Sequence, residues 1–286
     1  MQEPDLQQRK RGNGMKLHVF HGGYMYLDKS SLVAGSTSAT ASNRDVRAQW
    51  VSIPVCFYLI EHPQGLILYD TGCDPLGMEC HWSEENKNAS PFEPVEHGSV
   101  AERLGQLGYT PEDVDYVVLS HLHTDHCGGL PLFRNARVIV SDDEFTQAAK
   151  QYALNAVGPA YDMSDLRAIF SAGLNFHLLE REAREYELLE GVRVLNFGSG
   201  HTFGMLGLYV ELPRSGNFLL VADAIYTREN AGPPIRLPGL VYDSLGYTAT
   251  VKRAVEFARK HRATILYGHD SAQMEALKQA PAGFYD

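Results

Sequence analysis

Long apolar runs are missing from this chain of 286 residues, and so is any concentration of positive charge. No stretch approaches the roughly 18 consecutive apolar residues of a membrane-spanning helix. The N-terminal MQEPDLQQRKRGNG is polar throughout and lacks the apolar centre of a secretory signal. A soluble, cytoplasmic protein with no membrane partner is therefore expected, with residues 1–14 as a disordered leader. Lys and Arg number 25 against 35 Asp and Glu, a formal net charge of −10, and the one basic block is Arg9-Lys10-Arg11. That balance speaks against a nucleic-acid partner, whose phosphates require a concentrated positive surface. Cysteine is scarce: Cys56, Cys73, Cys80 and Cys127 show no CxxC spacing. A disulfide framework is not expected, and the pattern suits a reducing compartment. Low-complexity linkers and short tandem repeats are lacking too.

What is there is an ordinary globular balance, 44% apolar and 21% charged, sufficient for a sizeable core. Short β-rich runs alternate with helical stretches. Strands are expected at 16–20, 55–62, 66–70, 116–120, 137–141, 192–197, 206–212, 218–223 and 264–269. His62-Pro63-Gln64-Gly65 forms a tight turn between two of them. Helical periodicity marks 98–107, 142–155, 162–172 and 248–261, the last placing Val251, Ala254, Val255 and Ala258 on one face.

The placement of polar residues carries more information. YVVLS runs straight into His121, VRVLNF is followed within four residues by His201, FLLVA ends at Asp223, and TILYG ends at His269. Strand ends in a layered α/β protein commonly converge on one edge, where loops build a site on a rigid scaffold. Within HLHTDH, His121 and His123 are two apart, so an extended backbone points both rings to one side. Asp125 and His126 follow where the chain turns. With His201, Asp223 and His269 the set reaches seven donors, enough for two ions if one carboxylate bridges them. Two ions would also neutralise about four of the chain's negative charges. The remaining histidines, His18, His21, His62, His81, His97, His177 and His261, lie outside this pattern and are expected at the surface or in hydrogen bonds. Cys127 is expected to be a small buried filler.

The order HxHxDH (121–126), GHT (200–202), DA (223–224) and GHD (268–270), preceded by LYDTG (68–72), resembles the metallo-β-lactamase superfamily. The resemblance spans about residues 16–286. It implies an α/β protein of the αβ/βα sandwich type, two mixed β-sheets packed face to face with helices outside, and a single domain over residues 15–286. It assigns His121, His123 and His201 to one metal, Asp125, His126 and His269 to the other, and Asp223 to both. Asp70 resembles the acid that orients the ligand loop.

Within that superfamily the seven-donor set speaks against true β-lactamases. The 17 residues after His269 are too few for the helical domain of a glyoxalase II. The acidic charge speaks against tRNA-processing nucleases, and His123 stands where redox diiron members carry Glu. A non-catalytic sensor would be expected to lose a donor, and none is lost. Tyr226 in DAIYT, with SHLHTDHCGG, FGSGHTFGMLGL and LYGHD, resembles the N-acyl-homoserine lactonases that degrade quorum-sensing signals. Cys127 and Phe203 depart from the usual alanine and proline. The resemblance implies a hydrolase that opens N-acyl-homoserine lactones by attack of a hydroxide shared between two divalent ions, with Tyr226 assisting at the carbonyl oxygen and Asp125 carrying the proton. Zinc is the expected metal, with iron, cobalt and manganese as alternatives. Another dinuclear hydrolase, a broad lactonase or esterase or a phosphodiesterase, is the competing expectation. Met25, Leu27, Phe203, Ile235 and Leu240 are candidate acyl-pocket residues. Loops bearing Trp50, Trp82 and Phe92 are candidates for a homodimer interface.

Overall fold

Strand β2 (Trp50–His62) shows how this chain builds its layers. From Ile53 to His62 every residue is buried, so the apolar and polar alternation of a half-exposed strand is lost. Both faces are covered: Phe57 and Leu59 belong to one apolar cluster, Tyr58 and Ile60 to another. Continuous runs of this kind mark strands buried on both sides. The computed structural model describes residues 14–286. Apart from Gly14, the expected leader lies outside the described residues.

The first sheet contains β1 (Lys16–Asp28), β2, β3 (Gly65–Tyr69), β4 (Phe92–Pro94), β5 (Tyr116–Val118), β6 (Arg137–Ser141) and β7 (Asn175–Leu179), in the order β4-β1-β2-β3-β5-β6-β7. Its β1, β2 and β3 pair antiparallel, while β3, β5, β6 and β7 run parallel. The second sheet contains β8 (Glu185–Leu189), β9 (Val192–Gly198), β10 (Met205–Leu212), β11 (Gly216–Ala222) and β12 (Ala263–Tyr267), ordered β12-β11-β10-β9-β8. It is antiparallel except for the parallel β11–β12 pair.

Helices α1 (Glu84–Ala89), α2 (Val100–Gln106), α3 (Asp142–Ala153), α4 (Met163–Ser171), α5 (Ser244–His261) and α6 (Ser271–Ala276) complete the fold, with several single turns. The sheets face each other through Val19, Ile60, Tyr69 and Val118 on one side and Val194, Leu208 and Leu220 on the other. Leu104, Ala148 and Leu166 of α2, α3 and α4 cover the outside of the first sheet. Tyr247, Val251, Ala254 and Phe257 of α5 cover the outside of the second. The result is the expected αβ/βα sandwich. Each large apolar side chain fully buried this way contributes about 1.5–3 kcal/mol.

Some expectations need correction. Strands β7 and β8 were not anticipated, because edge strands with half-exposed residues lack the apolar runs that mark the central ones. Helix α5 begins at Ser244, capped by the Asp243 carboxylate, which accepts from Gly246 N at 2.9 Å. Val255 is 39% exposed on it, and the buried face uses Tyr247 and Phe257 instead. Trp82 and Phe92 are buried, so of the three candidate interface aromatics only Trp50 is exposed.

Candidate metal centre

The strand ends meet. His121 follows β5 in the first sheet, while His201, Asp223 and His269 follow β9, β11 and β12 in the second. A single helical turn at Thr124–Cys127 then carries Asp125 and His126. All seven side chains are buried. Their donor atoms form two groups, His121, His123, His201 and Asp223, and Asp125, His126 and His269, each within 4.8 Å.

Asp223 divides its two oxygens between these groups. Its Oδ2 lies 3.2 Å from His201 Nε2 and 3.9 Å from His121 Nε2. Its Oδ1 lies 2.9 Å from His269 Nε2 and 3.3 Å from His126 Nε2. Asp125 Oδ2 closes the second group at 3.3 Å from His126 Nε2 and 3.4 Å from His269 Nε2. In the first group His123 Nδ1 sits 2.9 Å from His201 Nε2.

The backbone is shaped to allow this. Ala222 has φ 44 and Asp70 has φ 60, left-handed conformations uncommon for residues with a side chain. The β11–β12 register shifts between Leu220 and Ala222, which re-aims the strand end carrying Asp223. Gly268 is required by close approach: a Cβ there would fall 2.7 Å from Asp223 Oδ1. Gly128 allows the turn at 124–127 to lie on the 72–74 backbone, where a Cβ would come 1.9 Å from Asp74 N.

Outward-facing nitrogens fix the imidazoles. His126 Nδ1 donates to Asp70 Oδ2 at 2.9 Å and His269 Nδ1 to the Pro54 carbonyl at 3.0 Å. The Ser120 hydroxyl donates to Asp70 Oδ2 at 2.8 Å and accepts from His121 Nδ1 at 2.9 Å. His201 Nδ1 donates to the Leu240 carbonyl at 3.2 Å. In these tautomers the inner nitrogens hold lone pairs, the state a cation needs. Among the described residues, His121 Nε2, His126 Nε2 and Asp223 Oδ1 are buried and make no hydrogen bond. Such atoms are costly to bury without partners. A pair of divalent cations would satisfy them, and the imidazole and carboxylate set suits that role.

Electrostatics agree with this fit. Burial, then neighbouring imidazoles, hold His121 and His123 well below the ordinary histidine value, so both are neutral. Burial also opposes charge on His126, but Asp125, Asp223 and Asp70 outweigh it and raise its pKa well above the usual range. That side of the centre calls for positive charge.

Beside the donors opens a cavity of about 220 Å³. His123, Asp125, Asp223, His269 and Tyr226 line its polar end, and Met25, Leu27, Leu32, Ile53, Trp82 and Leu240 its apolar wall. Tyr226 Oη lies 3.0 Å from His201 Nδ1. Burial, then the negative Asp223 and Asp125, push its pKa well above the usual phenol value, so it remains a donor. Two candidate pocket residues fall elsewhere. Phe203 packs on Tyr242 over a separate cleft with Asp142 and Arg181. Ile235 packs against the α5 cluster and faces a cleft with Val251 and Tyr267. Residues 82–86 were missed as a pocket wall. They are tied to α4 by Asp162, which accepts from Ser83 N and Asn86 Nδ2, and by Asp165, which accepts from Trp82 Nε1 at 3.0 Å. No local spacing marks a contact made across 83 residues of sequence.

Residues 54–269 match the family model of the metallo-β-lactamase superfamily, and the chain belongs to that superfamily. Its relatives narrow the class. The N-acyl homoserine lactonase AiiB of Agrobacterium fabrum is 39% identical over 275 residues, 96% of this chain and 100% of the relative. The N-acyl homoserine lactonase AiiA of Bacillus thuringiensis subsp. kurstaki is 30% identical, covering 93% and 97%. A solved N-acyl homoserine lactone hydrolase, with the product N-hexanoyl-L-homoserine at its catalytic metal centre, superposes with a TM-score of 0.79 at 28% identity, covering 96% and 100%.

Proposed function

We propose that this chain is a metal-dependent N-acyl-homoserine lactonase that opens the lactone ring to give N-acyl-homoserine, and so quenches quorum-sensing signals. The observation that carries the reading is the divided Asp223 carboxylate, set between two histidine groups at the end of a half-apolar cavity. The lactonase relatives support the choice of substrate. His121, His123 and His201 would hold one cation, Asp125, His126 and His269 the other, with Asp223 shared and zinc the best match to the donor set. When bound, such a pair supplies Lewis acidity and lowers the pKa of a water from about 15.7 towards about 7.

The chain's own groups account for the rest. Met25, Leu27, Leu32 and Ile53 receive the acyl tail. Tyr226 directs its hydroxyl proton to the lactone carbonyl oxygen as negative charge builds there, the arrangement of an oxyanion hole. Asp125 faces both the donor group and the cavity. It takes the proton released as water adds and delivers it to the ring oxygen as the acyl C–O bond breaks. Water is thereby added across that bond, leaving a free hydroxyl and a carboxylic acid that releases its proton to solvent as carboxylate.

Metal analysis coupled to kinetics tests the reading. The purified protein should carry two divalent cations and open an N-acyl-homoserine lactone in preference to a simple γ-lactone or a phosphodiester. Asp223→Asn should lose metal and nearly all turnover. Faster phosphodiester cleavage, or full metal content and turnover in Asp223→Asn, would overturn it.

A further inference from the structure

Glu144 is a fully buried carboxylate that the proposed chemistry does not use. It sits in the first turn of α3 and faces inward. Its Oε1 accepts from Leu122 N at 3.0 Å and from the Tyr161 hydroxyl at 2.7 Å, and its Oε2 accepts from Gly204 N at 3.3 Å. Leu122 lies between His121 and His123, and Gly204 lies three residues beyond His201. The Tyr161 ring stands edge-on to His123, with centroids 4.5 Å apart.

We infer that Glu144 is the positioning residue of the three-imidazole group, registering the 121–123 segment, the 201–204 loop and the ring against His123 from one point. Asp70 holds His126 directly and reaches His121 through the Ser120 hydroxyl. Glu144 thus stands behind His123 and the 201–204 loop, and Asp70 behind His126 and His121. Metal coordination tolerates errors of only about 0.2 Å in donor position. Removing partners that orient donors typically weakens metal binding about 10–100-fold. Burial raises the Glu144 pKa above the ordinary carboxylate value, and the donors from Tyr161, Leu122, Thr202 and Gly204 offset only part of that rise. Donors converging on both oxygens are what a glutamine cannot satisfy, because its NH2 must face one of them.

The inference rests on the reading of the seven donors as a two-cation centre, and the test separates the two. Binding of Zn2+ or Co2+ alone is measured by chelator competition, with substrate absent. In a His269→Ala background, which leaves the three-imidazole group intact, Glu144→Gln should weaken the remaining affinity about 10–100-fold. In a His201→Ala background it should change little. Tyr161→Phe removes one donor and should weaken the same cation by less, which decides the matter if Glu144→Gln does not fold. Equal losses in both backgrounds, or unchanged affinity in the first, would overturn the role of Glu144 while leaving the lactonase reading intact. A wild-type chain that takes up fewer than two cations would overturn the reading itself.

Discussion

Tyr226 is held beside the centre by burial and by His201, and its phenol stays protonated across the working pH range. With His201 Nδ1 donating to Leu240, the tyrosine oxygen lies near that N–H as an acceptor, and its own proton is free to turn to substrate. Tyr226→Phe should therefore lower kcat about tenfold to a hundredfold, below the full loss of an oxyanion donor because a cation shares the load. Metal content should be unchanged, and an unaltered kcat would remove Tyr226 from the chemistry. The seven clustered side chains were legible in the sequence because apolar runs stop at or just before His121, His201, Asp223 and His269, and the HLHTDH string carries the other three. Glu144 was not, since its role lies in where α3 sets it relative to two distant loops. Nor were Phe203 and Ile235, apolar residues near the motifs whose side chains face other clefts.

The strap at 82–86 and helix α4 show the same limit for elements. Asp165 is almost wholly buried, with Trp82 Nε1 as its hydrogen-bond donor. Burial, then the nearby charges of Asp74 and Asp162, raise its pKa well above the ordinary carboxylate value. A carboxyl whose folded pKa is raised contributes stability that is complete below its unfolded pKa and is lost as pH rises through the folded one. Asp165→Asn keeps an oxygen for Trp82 and removes that loss. The variant should match the parent near pH 4 and exceed it at pH 8. Thermal melts at the two pH values check this, and a less stable variant at pH 8 would contradict it. Central strands could be found from composition because both faces are apolar. The edge strands β7 and β8 and the start of α5 depend on pairing and capping that hydrophobic runs do not announce.

For the whole molecule, the distribution of donors matters more than their number. His121, His123, Asp125 and His126 belong to the segment leaving the first sheet, while His201, Asp223 and His269 leave the second. A cation shared by both segments favours the folded state, and a ligand that binds that state alone at about 1,000 times its Kd adds about 4 kcal/mol of stability. Stripping metal with a chelator should lower Tm by on the order of 10 °C in a chain of this size. An unchanged Tm would mean that the centre contributes nothing to folding. Because Asp223 turns one oxygen to each donor group, a cation held here would act as a rivet through the seam between the two sheets. Loosening it should free the tips of β5, β9, β11 and β12 to exchange their amide protons together, although they belong to different sheets.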